Sequence, residues 1–316
     1  MPRIELKEAI GNSYDFIVVG GGTAGLVLAA RLAEEKDISV LVLEAGEDKL
    51  DDPLITKIGH FGQTFGQEEY DWCAVTTPQV NAYNTVFPWP RGRTLGGSSA
   101  VNFFAWTKPS REDIDAWEQL GNKGWNWDTF NKYMQRAITF TPPKLSDEEH
   151  AQLAMVKALS SSENGALAQL HPPGPIQVSY PPLRTDLDIK VQQAFQEMGI
   201  EFATAPLDGQ PNGIVLGPAT VDPNSVQRSF AGNAYWKPNS GRSNLYLLTG
   251  ATVHRIVSTE VDGELLISGV EFSHKDSGGD VFTAKASKEV ILCAGCVHSL
   301  LGYLSLIPLY TELEPS

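Results

Sequence analysis

An α/β fold built on a parallel sheet is predicted by three features of the sequence. Phe16, Ile17, Val18 and Val19 form a short β-branched and aromatic run that leads straight into glycines 20, 22 and 25. An Ala- and Leu-rich helix ending near Glu35 follows, and then a second apolar run, Val40 to Leu43, that stops on Glu44. Far downstream, segments near 266–273, 281–285 and 288–293 alternate as the strands of a β-meander do.

Each part of the first stretch has a physical reason. A near-continuous apolar run suits a parallel strand buried on both faces. In the GxGxxG spacing, Gly20 permits the tight turn, Gly22 lets a pyrophosphate approach the backbone, and Gly25 lets helix and strand pack closely. The helix start offers unpaired N–H groups and its positive dipole end to phosphates. Glu44 stands nineteen residues after Gly25, where a carboxylate can accept hydrogen bonds from a ribose diol. A strand-turn-helix without a ligand explains the glycines but not the acid at this distance. An adenine dinucleotide is therefore expected here, in a Rossmann-like domain. Glu44 disfavours the 2′-phosphate of NADP, because two negative groups would meet. The N-terminal position and the Glu-Ala-Gly continuation favour FAD over NAD.

The 316 residues allow one large domain or two. A net charge of −14 argues against nucleic acid or an anionic membrane as partners. No apolar run reaches bilayer-spanning length, and MPRIELKEAI lacks the apolar core of a signal peptide, so a cytoplasmic location is expected. Three cysteines fit a reducing compartment. No metal site is expected. Cys293 and Cys296 form a CxxC, but Cys73 is the only other cysteine, so Cys293 reads as a buried residue at a strand end.

Residues 47 to 90 read as a long ordered loop with a short strand in Asp71 to Pro78. The second informative stretch is Arg91 to Trp106, RGRTLGGSSAVNFFAW. Gly96 and Gly97 permit close backbone approach, and Ser98 and Ser99 are placed to cap a helix. Such a helix would aim its amides and Asn102 at a polar ligand. A capped helix with no ligand is equally compatible with these residues.

Together, GGGTAG…LEAG and RGRTLGGSSAVN resemble the glucose–methanol–choline family of FAD-dependent oxidoreductases. The resemblance implies that Thr23, Ala24, Glu44 and Ala45 hold the AMP half of FAD. It further implies that the segment from Arg93 through Ala105, with Leu95, Gly97, Ser98, Asn102, Phe103 and Phe104, runs beside the pyrophosphate and the isoalloxazine. Family members with covalent flavin carry a histidine where Val101 stands, so non-covalent FAD is expected. Val253 matches a residue whose backbone contacts the adenine. The implied activity is oxidation of an alcohol by hydride transfer to the flavin. The alcohol, the electron acceptor and the oligomeric state are left open.

Ser110 begins a helix, with Asp113 placed for a reciprocal cap and Ile114, Trp117 and Leu120 on one face, closed by Gly121. A second helix from about Asp128 would bury Phe130, Met134 and Ala137. The four tryptophans between Trp106 and Trp127 read as core. Beyond a linker with Pro142 and Pro143, Ser146 and Glu149 suggest a capped helix through about Ser160, and Ser161 to Pro175 a loop. Ile176 to Ser179 reads as a strand and Asp186 to Met198 as a helix stopped by Gly199. VQRSFAGNAYWKP resembles the family's return into the FAD domain, and Lys288 to Gly295 reads as a buried strand whose Ala-Gly end the resemblance makes another flavin-adjacent turn.

The expected organisation is an FAD-binding domain at 1–108 and 215–300, an incomplete α+β substrate or cap region at 109–214, and a divergent tail at 301–316. After Ser299 the family pattern of a proline and a glycine turn is lost, and a C-terminally shortened chain is expected. Members carry the catalytic histidine in their C-terminal half. None of His60, His150, His171, His254, His274 and His298 matches it, so no catalytic residue is assigned, and a flavin-binding protein without the base is the alternative.

Overall fold

The computed structural model describes residues 4–142, 173–180, 186–203, 205–215, 217–262 and 264–304. The chain divides into two compact units, Met1–Phe103 with Phe230–Ser316, and Phe104–Ser229.

The first unit is built on β1 (Ser13–Val19), α2 (Thr23–Leu32) and β2 (Val40–Leu43), preceded by a short helix α1 (Leu6–Gly11). All four residues of β2 are buried, as its apolar run requires, because β2 lies between β1 and β9 (Leu245–Leu248) with parallel pairing on both sides. Past β9 the chain forms β10 (Ala251–Val261), β11 (Glu264–His274) and β12 (Val281–Leu292). The six-stranded sheet has the order β10-β11-β12-β1-β2-β9. The α/β fold with a parallel sheet and a meander is therefore present, and the meander is continuous with the parallel sheet.

The two segments read at 281–285 and 288–293 are one strand. Residues 281–285 pair antiparallel with β11, and Lys285 onward pairs parallel with β1, so the strand changes partner without breaking. It is also not the buried strand expected: Val290, Ile291 and Leu292 are half-buried and Lys288 and Glu289 are exposed. On the covered face, Ile17, Val19, Leu41, Leu43, Val270 and Phe272 form a core with Ala9 of α1 and Tyr14. Helix α2 ends at Leu32, three residues before the expected Glu35, and turns through Ala33. After β12 a helix runs from Gly295 to Leu304, so residues read as the start of a divergent tail continue a regular element.

Gly25 is where α2 meets the sheet. A Cβ there would lie 2.0 Å from the Gly20 carbonyl oxygen and 3.1 Å from Val18 Cγ1. Replacing Gly25 with alanine is expected to cost about 3 kcal/mol, visible as a drop of roughly 6–12 °C in thermal unfolding followed by circular dichroism. An unchanged midpoint would contradict the packing described.

The loop over residues 47–90 is ordered, and the short strand expected within Asp71 to Pro78 is present as β3 (Ala74–Val75). The loop also carries α3 (Pro53–Thr56), two 3₁₀ turns, and β4 (Pro88–Trp89), which pairs with β3. The one-turn helix α4 (Ser98–Val101) follows. Neither serine caps it. Gly97 is the N-cap, Ser98 Oγ accepts from Gly92 N–H, and Ser99 Oγ donates to Gly96 O and accepts from Ala231 N–H. The serines fasten neighbouring backbone instead.

The second unit contains α5 (Arg111–Gln119), α6 (Trp127–Ala137), β5 (Ile138–Thr141), β6 (Ile176–Ser179), α7 (Asp186–Glu197), β7 (Val221–Asp222) and β8 (Gln227–Arg228). Ser110 caps α5 by accepting from Asp113 N–H, and Gly121 follows it in the left-handed region. Its expected apolar face is only partly buried: Ile114 is buried, Trp117 is 47% exposed and Leu120, at the C-cap, is 81% exposed. Of the four tryptophans only Trp127 is core, while Trp117 and Trp125 pack on one another at the surface. Phe130, Met134 and Ala137 are half-buried. Residues 104–108 and 215–229 belong to this unit, because Ala105 bridges Ala219, Trp106 N–H donates to Pro218 O and Thr220 N–H donates to Phe104 O. The helix expected from Ser146 to Ser160 lies outside the described residues, as does nearly all of the loop after it.

Candidate dinucleotide site

The first unit holds a cavity of about 770 Å³, within the usual range for small-molecule sites. Its floor is the carboxyl end of the parallel strands, where Val19, Leu43 and Leu292 reach it. Above them stands the start of α2. Gly22 is the N-cap and no side chain caps the helix, so the first amides, at Thr23 and Ala24, lie at the cavity with no intrahelical acceptor. That position suits an anion.

Gly97 closes the cradle from the other side. It has φ +53° and ψ −139°, and a Cβ on it would lie 2.8 Å from Gly22 Cα. Gly92 packs behind, with its own Cβ position 2.4 Å from the Gly97 carbonyl. Three stretches of backbone thus meet at distances that side chains forbid, and Gly22, Gly92, Gly97 and Ser98 all line one cavity.

Glu44 lines the cavity at the end of β2. Its carboxylate accepts from Gly21 N–H at 2.7 Å and Gly46 N–H at 2.8 Å. Burial pushes its pKa up from the ordinary 4.5 to about 7, against the two amides and the Arg93 charge, which pull it down. Each oxygen keeps a lone pair for a further donor. Val253, at the start of β10, lines the wall with Thr252 and His254.

The structure therefore gathers Gly20, Gly22, Thr23, Ala24, Glu44, Ala45, Gly97, Ser98 and Val253 around one cavity. Gly25 and Leu95 lie beneath it: Leu95 is fully buried and would touch a Cβ placed on Gly21. Other expected residues do not line it. Asn102 is the exposed C-cap of α4, and Phe103 packs edge-on to Phe61 and Phe65. Arg93 sits over the Trp72 ring with its Nε buried and unpartnered among the described residues. Phe104 and Ala105 belong to the second unit.

The Ala294–Gly295 turn, which the resemblance put beside the flavin, lines the cavity, and so do residues missed by sequence reading: Trp72, Arg91, Thr252, and Cys296 to Ser299 at the start of the Gly295–Leu304 helix. Cys293 is half-buried rather than buried, and burial raises its thiol pKa. The His298 ring lies against Trp72, tilted by 42° with centroids 4.4 Å apart. These two rings are 226 positions apart, so no local pattern announces them. His254 Nε2 lies 2.8 Å from Ser273 Oγ. Among the described residues no group of three or more metal-ligating side chains forms, and no helix is long and apolar enough to cross a membrane.

The model of the GMC oxidoreductase family matches residues 14–301, nearly the whole chain. The chain belongs to the GMC oxidoreductase family. Among curated relatives, the dehydrogenase mpl7 of Monascus purpureus is 37% identical over 303 residues, covering 95% of this chain and 46% of its own. Among solved structures, an FAD-dependent oxidoreductase from Chaetomium thermophilum superposes with a TM-score of 0.78 at 30% identity, over 90% of this chain and 46% of that one. An Aspergillus oryzae formate oxidase variant, studied for its FAD modification, gives a TM-score of 0.77 at 28% identity, over 93% and 47%. The chain spans about half the length of the relatives it matches.

Proposed function

We propose that this GMC family chain binds FAD non-covalently and forms the dinucleotide-binding part of a cytoplasmic oxidoreductase acting on the CH–OH group of a small alcohol. The contact between Gly22 and Gly97 across one cavity carries the reading, because it brings both glycine motifs to a single ligand-sized space. The uncapped amides of α2 suit a pyrophosphate, and the Glu44 carboxylate suits a ribose diol. Bound there, FAD supplies the hydride acceptor for alcohol oxidation. The chain's own residues bind and orient it.

Two observations support the remaining terms. Val101 is buried hydrocarbon with no nucleophile to offer a flavin. Cys73, Cys293 and Cys296 are unpaired, which suits a reducing compartment. Acid precipitation of the purified yellow protein is expected to release all flavin into the supernatant and leave the polypeptide mass unchanged. Flavin retained on the polypeptide would contradict this.

A second reading, flavin binding without turnover, is favoured by the histidines at the cavity. His254 bonds a serine hydroxyl and His298 packs against an indole, and neither pairs with a carboxylate among the described residues. Anaerobic mixing with a panel of alcohols separates the readings: bleaching of bound flavin shows turnover, and unchanged absorbance shows binding alone.

A further inference from the structure

We infer that Arg91 is the cation that holds the pyrophosphate of the bound dinucleotide, opposite the amide end of α2. This rests on the cofactor reading above and goes beyond it by assigning a residue and a selectivity.

Placement is the first ground. Arg91 lines the cavity, and its neighbour Gly92 is locked against the cradle by Ser98 Oγ and by backbone contact with Gly97, which in turn touches Gly22. The Arg91 backbone is itself fixed: its N–H donates to Asp71 Oδ1 and its carbonyl accepts from Trp72 N–H. The guanidinium is thus carried by a hydrogen-bonded stretch of backbone one residue from the glycine cradle.

Charge is the second ground. Two arginines line the cavity. Arg255 is committed to Glu271 through two of its nitrogens. The Arg91 guanidinium instead meets the Pro90 carbonyl, the Trp89 ring at 5.7 Å and Cys296 Sγ at 3.9 Å, and no carboxylate among the described residues pairs with it. In a chain of net charge −14, a cation that lines the same cavity as the uncapped helix amides and has no carboxylate partner among the described residues is matched to a diphosphate. Arg93, the arginine that the sequence motif singles out, does not line the cavity and sits over the Trp72 ring.

The experiment compares adenosine, ADP and FAD binding by calorimetry to the 316-residue chain and to Arg91→Gln and Arg91→Lys. Arg91→Gln is expected to weaken ADP and FAD by about tenfold or more while adenosine binding is unchanged. Arg91→Lys keeps part of the preference for ADP over adenosine. In the unaltered chain, added salt weakens ADP and leaves adenosine alone, a test that needs no variant. The inference is overturned if Arg91→Gln binds ADP as well as the original does, if adenosine weakens equally, or if salt does not separate the two ligands. Should the unaltered chain bind neither ADP nor FAD, the cofactor reading itself fails and takes this assignment with it.

Discussion

Replacing Gly97 with valine is expected to abolish flavin binding, weakening it by at least about a hundredfold, or roughly 2.7 kcal/mol. Two effects combine. At φ +53° and ψ −139° a side chain carries backbone strain of about 1–3 kcal/mol. Its Cβ also lies 2.8 Å from Gly22 Cα, so the two turns must separate and the cavity opens between them. Gly124 supplies the control: it also has positive φ, +86°, but nothing stands within 4 Å of its Cβ position. Gly124→Ala should cost stability of about 1 kcal/mol from strain alone and leave FAD affinity unchanged. Flavin fluorescence titration with a parallel thermal melt reads both. Equal effects of the two variants on affinity would remove the cradle from the account.

The second large effect belongs to Glu44. Alanine there leaves the Gly21 and Gly46 amides without their acceptor in a buried site, at about 1–3 kcal/mol each. It also removes the ribose partner, so both stability and affinity should fall. The pH dependence distinguishes this from a packing defect. The folded pKa, about 7, lies above the ordinary 4.5, so the folded ligand-free chain holds the proton more tightly than the unfolded chain does. Glu44's contribution to stability is thus fully present below about 4.5 and is lost as pH rises through about 7. Ribose hydroxyls donate to the ionised form, so FAD affinity should move the opposite way, rising on the order of tenfold between pH 5.5 and 7.5. Glu44→Gln should flatten both trends. Melting and binding curves across that interval decide it, and a pH-independent wild type would refute the assignment.

Much of the fold was legible because its signals are local. The β-branched run of β1, the glycine spacing and the apolar β2 each follow from a few adjacent residues, and together they specify strand, turn, helix and strand. Where the outcome depends on a distant partner, the sequence misleads or falls silent. Ser98 and Ser99 look like helix caps, yet Gly92 and Ala231, from other parts of the chain, claim their hydroxyls. Leu120 continues an apolar period that the helix no longer follows at its last turn. β12 looks like two strands because it has two partners of opposite direction. At the site, the GxGxxG turn and Glu44 lie within one βαβ unit and were readable, while Trp72, Arg91 and His298 meet only after folding.

Calorimetric titration of the purified chain with FAD, followed by displacement with ADP, tests the central claim most directly. One FAD per chain, fully displaced by ADP, is the result expected if Gly22 and Gly97 hold one dinucleotide between them. Absence of binding, or FAD and ADP occupying the chain together without competition, would contradict it.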